Sequence, residues 1–533
     1  DNYKQQRNKI NSMKRKAKMK YFQDLLSSAD NSKIILKAIN TLINKQSKCN
    51  YQNVIKEISP EKLNYHFTNI AETIITIDKI KENDLRDFEH YCGSKNIFSK
   101  FVIPPVTISE VLNSLLKLKQ SGSRDLDGID SKILKISAYA ITDTLTYIYN
   151  LCIDKSHFPK KLKQAKVIPL HKSGDRSNPS NYRPISLLSV LSKPLERHVQ
   201  SHLHSHLKTY DLINENQSGF QKNHSCHTAL IQLVEQCLLN INNNEFTGIL
   251  FLDFAKAFDV IDHSLLIKKL MHYKLSNEAL QFFKSFLSER QQVVEIGSKR
   301  STLLPLKFGI PQGSVLGPLL FSIYINDLPL YIHCSCEMFA DDTSIQSNDN
   351  DPVKLINNMQ VNINRLIKWT ELNHMSLNIS KTKCMFVTTR QKRQKMHSPF
   401  APLYIRGQKL EEVTSHKVLG VTIDNNLSWS EHVVELGKRI SKRIYQLRKI
   451  KHFLNLHSRK LFFHAHILSL INYASTLWDN TSETNLKHIS RLHKRAIKLI
   501  RLNSNTLTGA DYKDLDIFPL KDNLFFNKCV CMY

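Results

Sequence analysis

The chain has 533 residues, with 75 Lys and Arg against 47 Asp and Glu, for a formal net charge of +28. Its length exceeds what one hydrophobic core fills, so several lobes are expected, and a positive excess far beyond the needs of solubility marks a partner that is a polyanion. The 10 cysteines lack paired spacing, no signal peptide opens the chain, and no apolar run approaches the ~18 residues of a membrane span. These features exclude a disulfide-stapled secreted protein and a helical membrane protein. The expected location is intracellular, in nucleus and cytoplasm.

Residues 1–106 are polar and begin strongly basic at Lys14, Arg15, Lys16, Lys18 and Lys20, while Ile34, Ile35, Ala38, Ile39 and Leu42 recur at helical spacing. This stretch reads as a basic helical linker or arm, and Pro104 and Pro105 mark its end. From 107 to 430 short apolar runs alternate with helical patterns and turn clusters, the texture of a mixed α/β domain. Val167 to Leu170 predicts a strand that enters a polar turn containing Lys172 and ends at Asn181, Tyr182, Arg183 and Pro184, a basic hairpin tip. His202, His204 and His206 alternate and therefore do not share a helix face, so the tract receives no role. Cys334 with Cys336, and Cys529 with Cys531, are spaced too closely for a zinc knuckle.

Gly248 to Leu252 is a continuous apolar run with the character of a buried strand, and Asp253 stands at its end. Met338, Phe339 and Ala340 lead into the adjacent acids Asp341 and Asp342, which reads as a hairpin with two carboxylates at its turn. If the two elements are neighbours, three carboxylates converge, and their repulsion calls for divalent cations. Two hard cations in such a site suit nucleotidyl transfer to a primer 3′-hydroxyl. From 431 to 533 the pattern turns helical: Val433, Leu436, Ile440, Ile444 and Leu447 form an apolar stripe, and Lys438, Arg439, Lys442 and Arg443 fall off it.

Successive blocks give these elements a context. They read LKQSGSRDLDGID from Leu118, VIPLHKSGDRSNPSNYRPISLLSVLSKPLER from Val167, QSGFQKNHSCHTAL from Gln217, GILFLDFAKAFDVIDH from Gly248, GIPQGSVLGPLLFSIYINDLP from Gly309, FADD from Phe339, LNISKTKCMFVT from Leu377 and VLGVTID from Val418. In this order they resemble the reverse transcriptases of non-LTR retrotransposons of the LINE type, with a Jockey-like or CR1-like character from 418 onward. The resemblance implies a right-hand polymerase fold of fingers, palm and thumb, between a helical N-terminal arm and a mostly helical C-terminal region. It also implies RNA-directed DNA polymerase activity in target-primed reverse transcription.

Carried onto matching positions, the resemblance makes Asp253, Asp341 and Asp342 the ligands of two Mg2+ ions, with Mn2+ as a substitute. Lys172 and Arg183 fall where cations meet the triphosphate of the incoming nucleotide, and Gln312 where a side chain packs on that nucleotide. Phe254 is counted with the nucleotide-binding residues, and Phe258 falls where an aromatic ring excludes a ribose 2′-hydroxyl. Lys381 matches a lysine that protonates pyrophosphate, with Lys383 competing for the role. Leu419 and Gly420 match the hairpin that grips the primer; Arg439, Lys442 and Arg443 are expected on the nucleic-acid backbone.

Asp259, Asp262 and His263 are read as orienting and capping groups. Gln221 stands where the family carries Arg, which weakens template contact there. The implied partners are an RNA template, a DNA primer or target DNA, and dNTPs. The resemblance implies an endonuclease on the N-terminal side, outside this sequence, whose start at Asp1 without Met and whose C-terminal end both read as cut from something longer. A viral RNA polymerase would show Gly-Asp-Asp and no aromatic gate, and a non-catalytic relic would be expected to have lost an Asp.

Overall fold

A computed structural model describes residues 2–27, 31–43, 58–74, 95, 97–120, 122–396, 398–502 and 507–532. The fold is organised by the strand Phe246–Asp253, which lies at the centre of a five-stranded sheet in the order Glu411–Glu412, Lys383–Val387, Phe246–Asp253, Asp342–Asp349, Ser335–Phe339. Pairing is antiparallel except at the Glu411–Glu412 edge. Every residue from Phe246 to Leu252 is buried. The continuous apolar run therefore has the reason inferred from sequence, since both faces of this strand are covered.

Alternation decides which side chain enters which core. Phe246, Leu250 and Leu252 join one apolar cluster with Leu355, Met359, Ile363 and Leu366 of the helix Pro352–Leu372, and with the helices His263–His272, Asn277–Leu287 and Gly317–Ile325. Ile249 and Phe251 join a second cluster with Leu230, Leu233 and Val234 of the helix Cys226–Asn242. The second cluster continues into the C-terminal helices. Val433, Leu436, Ile440, Ile444 and Leu447 of the helix Ser430–Ile450 are all buried there, as their spacing predicts, against Ile489, Ala496 and Ile497 of Glu483–Arg501.

A second sheet runs Tyr182–Leu187, Gln164–His171, Arg290–Ile296, Lys299–Arg300, with Leu304–Leu306 also paired to Arg290–Ile296. Gln164–His171 and Tyr182–Leu187 form the hairpin expected around Lys172, with Leu170 opposite Arg183. The helix Pro60–Ile74 covers this sheet: Leu63 and Phe67 pack on Val167, Tyr182, Val294 and Ile296. The buried Asn64 amide donates to Ser301 Oγ at 2.9 Å and to the Thr302 carbonyl at 2.8 Å, and Gln292 Nε2 donates back to its oxygen at 3.1 Å. The other N-terminal helices go elsewhere, for Phe22 and Leu26 of Asn2–Ser27 and Ile35, Ala38, Ile39 and Leu42 of Ser32–Ile43 lie in the core of the C-terminal helices. Among the described residues no helix is long and apolar enough to cross a membrane.

Beneath the central sheet sits one buried ion pair. Lys269 Nζ donates to Asp327 Oδ1 at 2.8 Å and to the Tyr324 carbonyl and Asn373 Oδ1, both at 2.5 Å, and Trp369 Nε1 donates to the same Asp327 oxygen at 3.1 Å. The two side chains are 0% and 1% exposed. A buried pair is costly to create and costlier to break, because its surviving partner is left charged without water. Lys269→Met should destabilise the chain by roughly 3–5 kcal/mol, whereas Lys269→Met with Asp327→Leu should recover much of that loss. Chemical denaturation of both variants measures the difference; equal losses would show that the charges are not coupled.

Candidate active site

The register of the central sheet brings the three acids together. Asp253 is the direct cross-strand partner of Asp342 in the antiparallel pair, and Phe339 pairs with Asp342 across the hairpin, so Ala340 and Asp341 form the turn. Ala340 has φ of 58°, the tight left-handed conformation that this turn demands of a small residue. Protein around the Asp342 carboxyl strips it of water and, with the charges of Asp341 and Asp253, raises its pKa; Arg183 opposes the rise. Like charges placed opposite one another on a sheet are unfavourable. Oxygen donors with no fixed internal partner form the set that a hard divalent cation requires.

The hairpin is held from outside by the segment 216–219. Ser218 N donates to the Met338 carbonyl at 2.8 Å, Met338 N to the Asn216 carbonyl at 2.9 Å, and Gln217 Oε1 accepts from Gly219 N at 2.9 Å and Ala340 N at 3.4 Å. A Cβ on Gly219 would lie 2.2 Å from Ala340 N, so glycine is obligatory where the two backbones meet. On the other flank, Asn378 N donates to the Asp253 carbonyl at 2.8 Å, and Asp253 N to Thr382 Oγ1 at 3.4 Å. Lys381 Nζ stands 3.8 Å from Asp253 Oδ2. Lys383, the competing choice, is tied to the Ser380 carbonyl and Glu411 Oε2, both at 2.6 Å, which leaves Lys381 as the lysine at the carboxylates.

Lys172 and Arg183 are exposed at the hairpin of the second sheet, and their charges, with that of Lys381, reach Lys256. Burial is the largest cause that lowers the pKa of Lys256; Asp259 counters it and the three neighbouring cations add to it. The Asp259 carboxyl is raised by burial, and Lys256, a hydrogen bond from Gln312 and the charges of Arg183 and Lys172 pull it back. Gln312 Nε2 donates to Asp259 Oδ1 at 3.0 Å, and its carbonyl accepts from Ser186 N at 3.0 Å, so it bridges the second sheet and the loop after Asp253. Its loop is anchored by the buried Glu196, whose Oε2 accepts from Ser314 Oγ at 2.8 Å and Val315 N at 2.7 Å.

The ring of Phe258 is half-buried, stacked on Phe321 at 4.2 Å and edge-on to Phe220 at 6.4 Å. Phe254 differs: its ring is 5% exposed and packs edge-on to Trp369 at 6.1 Å, so it supports the loop from the core and offers a ligand only its backbone. Asp262 caps the next helix, accepting from Ser264 N at 2.7 Å and Leu265 N at 3.1 Å, and His263 Nε2 lies 2.8 Å from the Gly309 carbonyl.

Leu419 and Gly420 form the turn between the strands Ser415–Val418 and Val421–Asp424, both with positive φ, 45° and 86°. That is the turn geometry matched to the twist of a two-residue hairpin. Tyr473 holds it by donating its hydroxyl to the Leu419 carbonyl. Leu419, Lys417 and Asp342 line one cleft of about 70 Å³, so the hairpin adjoins the carboxylates. Arg439 and Lys442 are exposed on the neighbouring helix, whereas Arg443 is half-buried and donates to Gln446 Oε1 at 2.9 Å.

Sequence reasoning did not single out Gln217, Gly219, Glu196 or Lys256. The first three matter by what they hold in place. Lys256 stands between Asp253 and Phe258, and its cationic character beside an apolar strand was the available signal.

Residues 170–423 match the family model described as reverse transcriptase (RNA-dependent DNA polymerase). The chain is 26% identical over 437 residues to a probable RNA-directed DNA polymerase from transposon BS of Drosophila melanogaster, covering 79% of this chain and 48% of that protein. It is 25% identical over 454 residues to the RNA-directed DNA polymerase from mobile element jockey of the same species, covering 83% and 49%. With the probable RNA-directed DNA polymerase from transposon X-element, also of that species, it shares 28% over 408 residues, covering 75% and 44%. The chain thus spans about half the length of the curated relatives it matches.

The raised Asp342 carboxyl has a stability consequence. A raised acid favours folding while protonated, and that contribution is lost as pH rises through its folded pKa. Without divalent ions, Asp342→Asn should therefore stabilise the chain at pH 7 by up to ~1 kcal/mol, the scale of a cross-strand charge repulsion. The gain should fade as pH drops below the ordinary carboxylate value of 3.8. Thermal denaturation in chelator across this range checks it; a destabilised variant at pH 7 would mean that the triad is not repulsive.

Proposed function

We propose, from a chain whose residues 170–423 carry a reverse transcriptase domain of the non-LTR retrotransposon kind, that the protein is an RNA-directed DNA polymerase acting in target-primed reverse transcription. The observation that carries the reading is the cross-strand pairing of Asp253 with Asp342 beside the Asp341 turn. In this reading the central sheet is the palm, the second sheet with Lys172 and Arg183 the fingers, and the helices from Ser430 the thumb. Residues 1–106 form the arm, 107–430 fingers and palm, and 431–533 the thumb and the start of a C-terminal region.

The convergent, mutually repelling carboxylates fit two divalent cations, Mg2+ or Mn2+ in its place, which when bound lower the pKa of a primer 3′-hydroxyl and neutralise the departing pyrophosphate. Lys172 and Arg183, backed by Lys256, receive the triphosphate of a dNTP, Arg as a fork and Lys as a point charge. Lys381, beside Asp253, is placed to give a proton to the leaving pyrophosphate. Gln312 is fixed at both ends by Asp259 and Ser186, so its remaining surface can support the nucleotide without reorganising. Leu419 and Gly420 steer the primer strand toward the acids. Arg439 and Lys442, with Arg443 at the edge, track phosphates of the template RNA and primer DNA irrespective of sequence.

Primer extension on an RNA template tests the reading. Parent chain should extend with dNTPs and Mg2+ and stop in chelator; Asp253→Asn or Asp341→Asn should lower extension by several orders of magnitude, about 10³ or more, while template binding persists. Near-normal extension by either variant would place the chemistry elsewhere.

Phe258 separates a DNA-making from an RNA-making enzyme. With one side stacked on Phe321, the ring is held rigidly, and a rigid ring under the sugar excludes a 2′-hydroxyl by volume. Such exclusion is worth on the order of 3 kcal/mol, about a hundredfold in relative efficiency. Phe258→Ala should accept ribonucleotides far better while still using deoxynucleotides. A folded variant that extends with deoxynucleotides at the parent's deoxy-to-ribo ratio would assign the ring to the core alone.

A further inference from the structure

We propose that Glu110, His198 and His202 form a separate metal site that takes one zinc-type ion through two imidazoles and one carboxylate, with water completing the coordination. His198 and His202 are four residues apart on the helix Ser192–Thr209 and so share a face. Their ring centroids are 4.5 Å apart. Glu110 comes from the first turn of the helix Ile108–Leu116, and one donor atom from each of the three lies within 4.8 Å of the others. Donors on a tetrahedral zinc are about 3.3 Å apart, given bonds of about 2.0–2.1 Å, so a small rotation of the half-buried His202 ring closes the set.

A second observation points the same way. His198, 7% exposed, places Nε2 2.8 Å from the Pro104 carbonyl. A carbonyl only accepts, so Nε2 carries the proton and Nδ1 keeps its lone pair, the arrangement by which a backbone carbonyl orients a metal-ligating histidine. Glu110 is also fixed in advance: Oε2 accepts from Thr107 N and Thr107 Oγ, each at 2.8 Å, which leaves Oε1 for a ligand. The other histidines of this helix are engaged elsewhere, His204 with Gln221 and His206 with the Tyr273 carbonyl.

The ion would staple Pro104, the helix Ile108–Leu116 and the helix Ser192–Thr209 into one wall of a cleft of about 960 Å³ that Lys117, Arg124, Lys193 and Arg197 also line. Its role is to stiffen that wall, apart from the carboxylate triad.

The test uses the full chain, stripped with chelator and titrated with Zn2+ in excess Mg2+. The parent should retain about one zinc ion per chain after gel filtration and melt at a higher temperature with zinc than without. His202→Ala and Glu110→Gln should each weaken zinc binding about tenfold or more and abolish the thermal shift. Asp341→Asn should keep both. His202→Asn serves if the alanine variant misfolds, and Co2+ in place of Zn2+ reports tetrahedral coordination by its absorption. No zinc retained by the parent, a shift that survives Glu110→Gln and a His202 variant, or a shift lost in Asp341→Asn would each overturn the site.

Discussion

Everything at the site depends on one register: Asp253 opposite Asp342 in the antiparallel pair of the central sheet. Side chains alternate along a strand, so a slip by one residue would turn Ile249 and Phe251 into the wrong core and carry Asp253 away from its partner. Packing enforces the register against the repulsion it creates. At Gly248 a Cβ would lie 2.1 Å from the sulfur of Met359, so the helix Pro352–Leu372 presses closely onto the strand there and a larger residue would have to displace the Met359 side chain. At the other end Gly219 admits the Ala340 backbone. The two glycines act at opposite ends of the strand pair, one locking the sheet to its helix and the other locking the acidic turn to its support.

The N-terminal helices extend this logic beyond the sheet. The helix Ser32–Ile43 contributes Ile35, Ile39 and Leu42 to the core that holds the C-terminal helices, and the helix Pro60–Ile74 contributes Leu63 and Phe67 to the second sheet. Two neighbouring stretches of one chain therefore join different cores. Apolar burial on each side outweighs the entropy of ordering these helices, and a basic arm becomes part of the frame. The exposed faces that remain carry the positive charge, as the off-stripe Lys438, Arg439 and Lys442 do.

What the sequence made legible was chemistry placed at the ends of short elements. Asp253 ends an apolar run, Asp341 sits in a turn with Asp342 opening the strand after it, and the stripe of Val433, Leu436, Ile440, Ile444 and Leu447 packs as its period requires. The supports were not legible, because they act over distances in sequence that no local pattern reports. Gln217 braces Ala340, Glu196 anchors the loop around Ser314, and Asn64 fastens a helix to Ser301 and Thr302. Phe254 misled for a related reason: beside Asp253 in sequence, it points to the opposite face and meets Trp369. The members of the histidine tract do not act together: a donor atom of His202 lies within 4.8 Å of ones on His198 and Glu110, while His204 meets Gln221 and His206 the Tyr273 carbonyl.

The same local electrostatics explain how a strongly positive chain keeps a negative centre. Arg183 and Lys381 act on the acids while Lys172 and Lys256 act on Asp259; of the first two only Lys381 is near enough for an ion pair, and at 3.8 Å on a largely exposed side chain that contact is weak. The acids are thus not neutralised by the protein. Arg183 eases Asp342 without quenching it, and burial with the neighbouring acids keeps its proton affinity high. Closer salt bridges would have satisfied the carboxylates internally and removed the demand for an external cation. With the cations held back, the carboxylates keep their negative charge and stay open to an external cation.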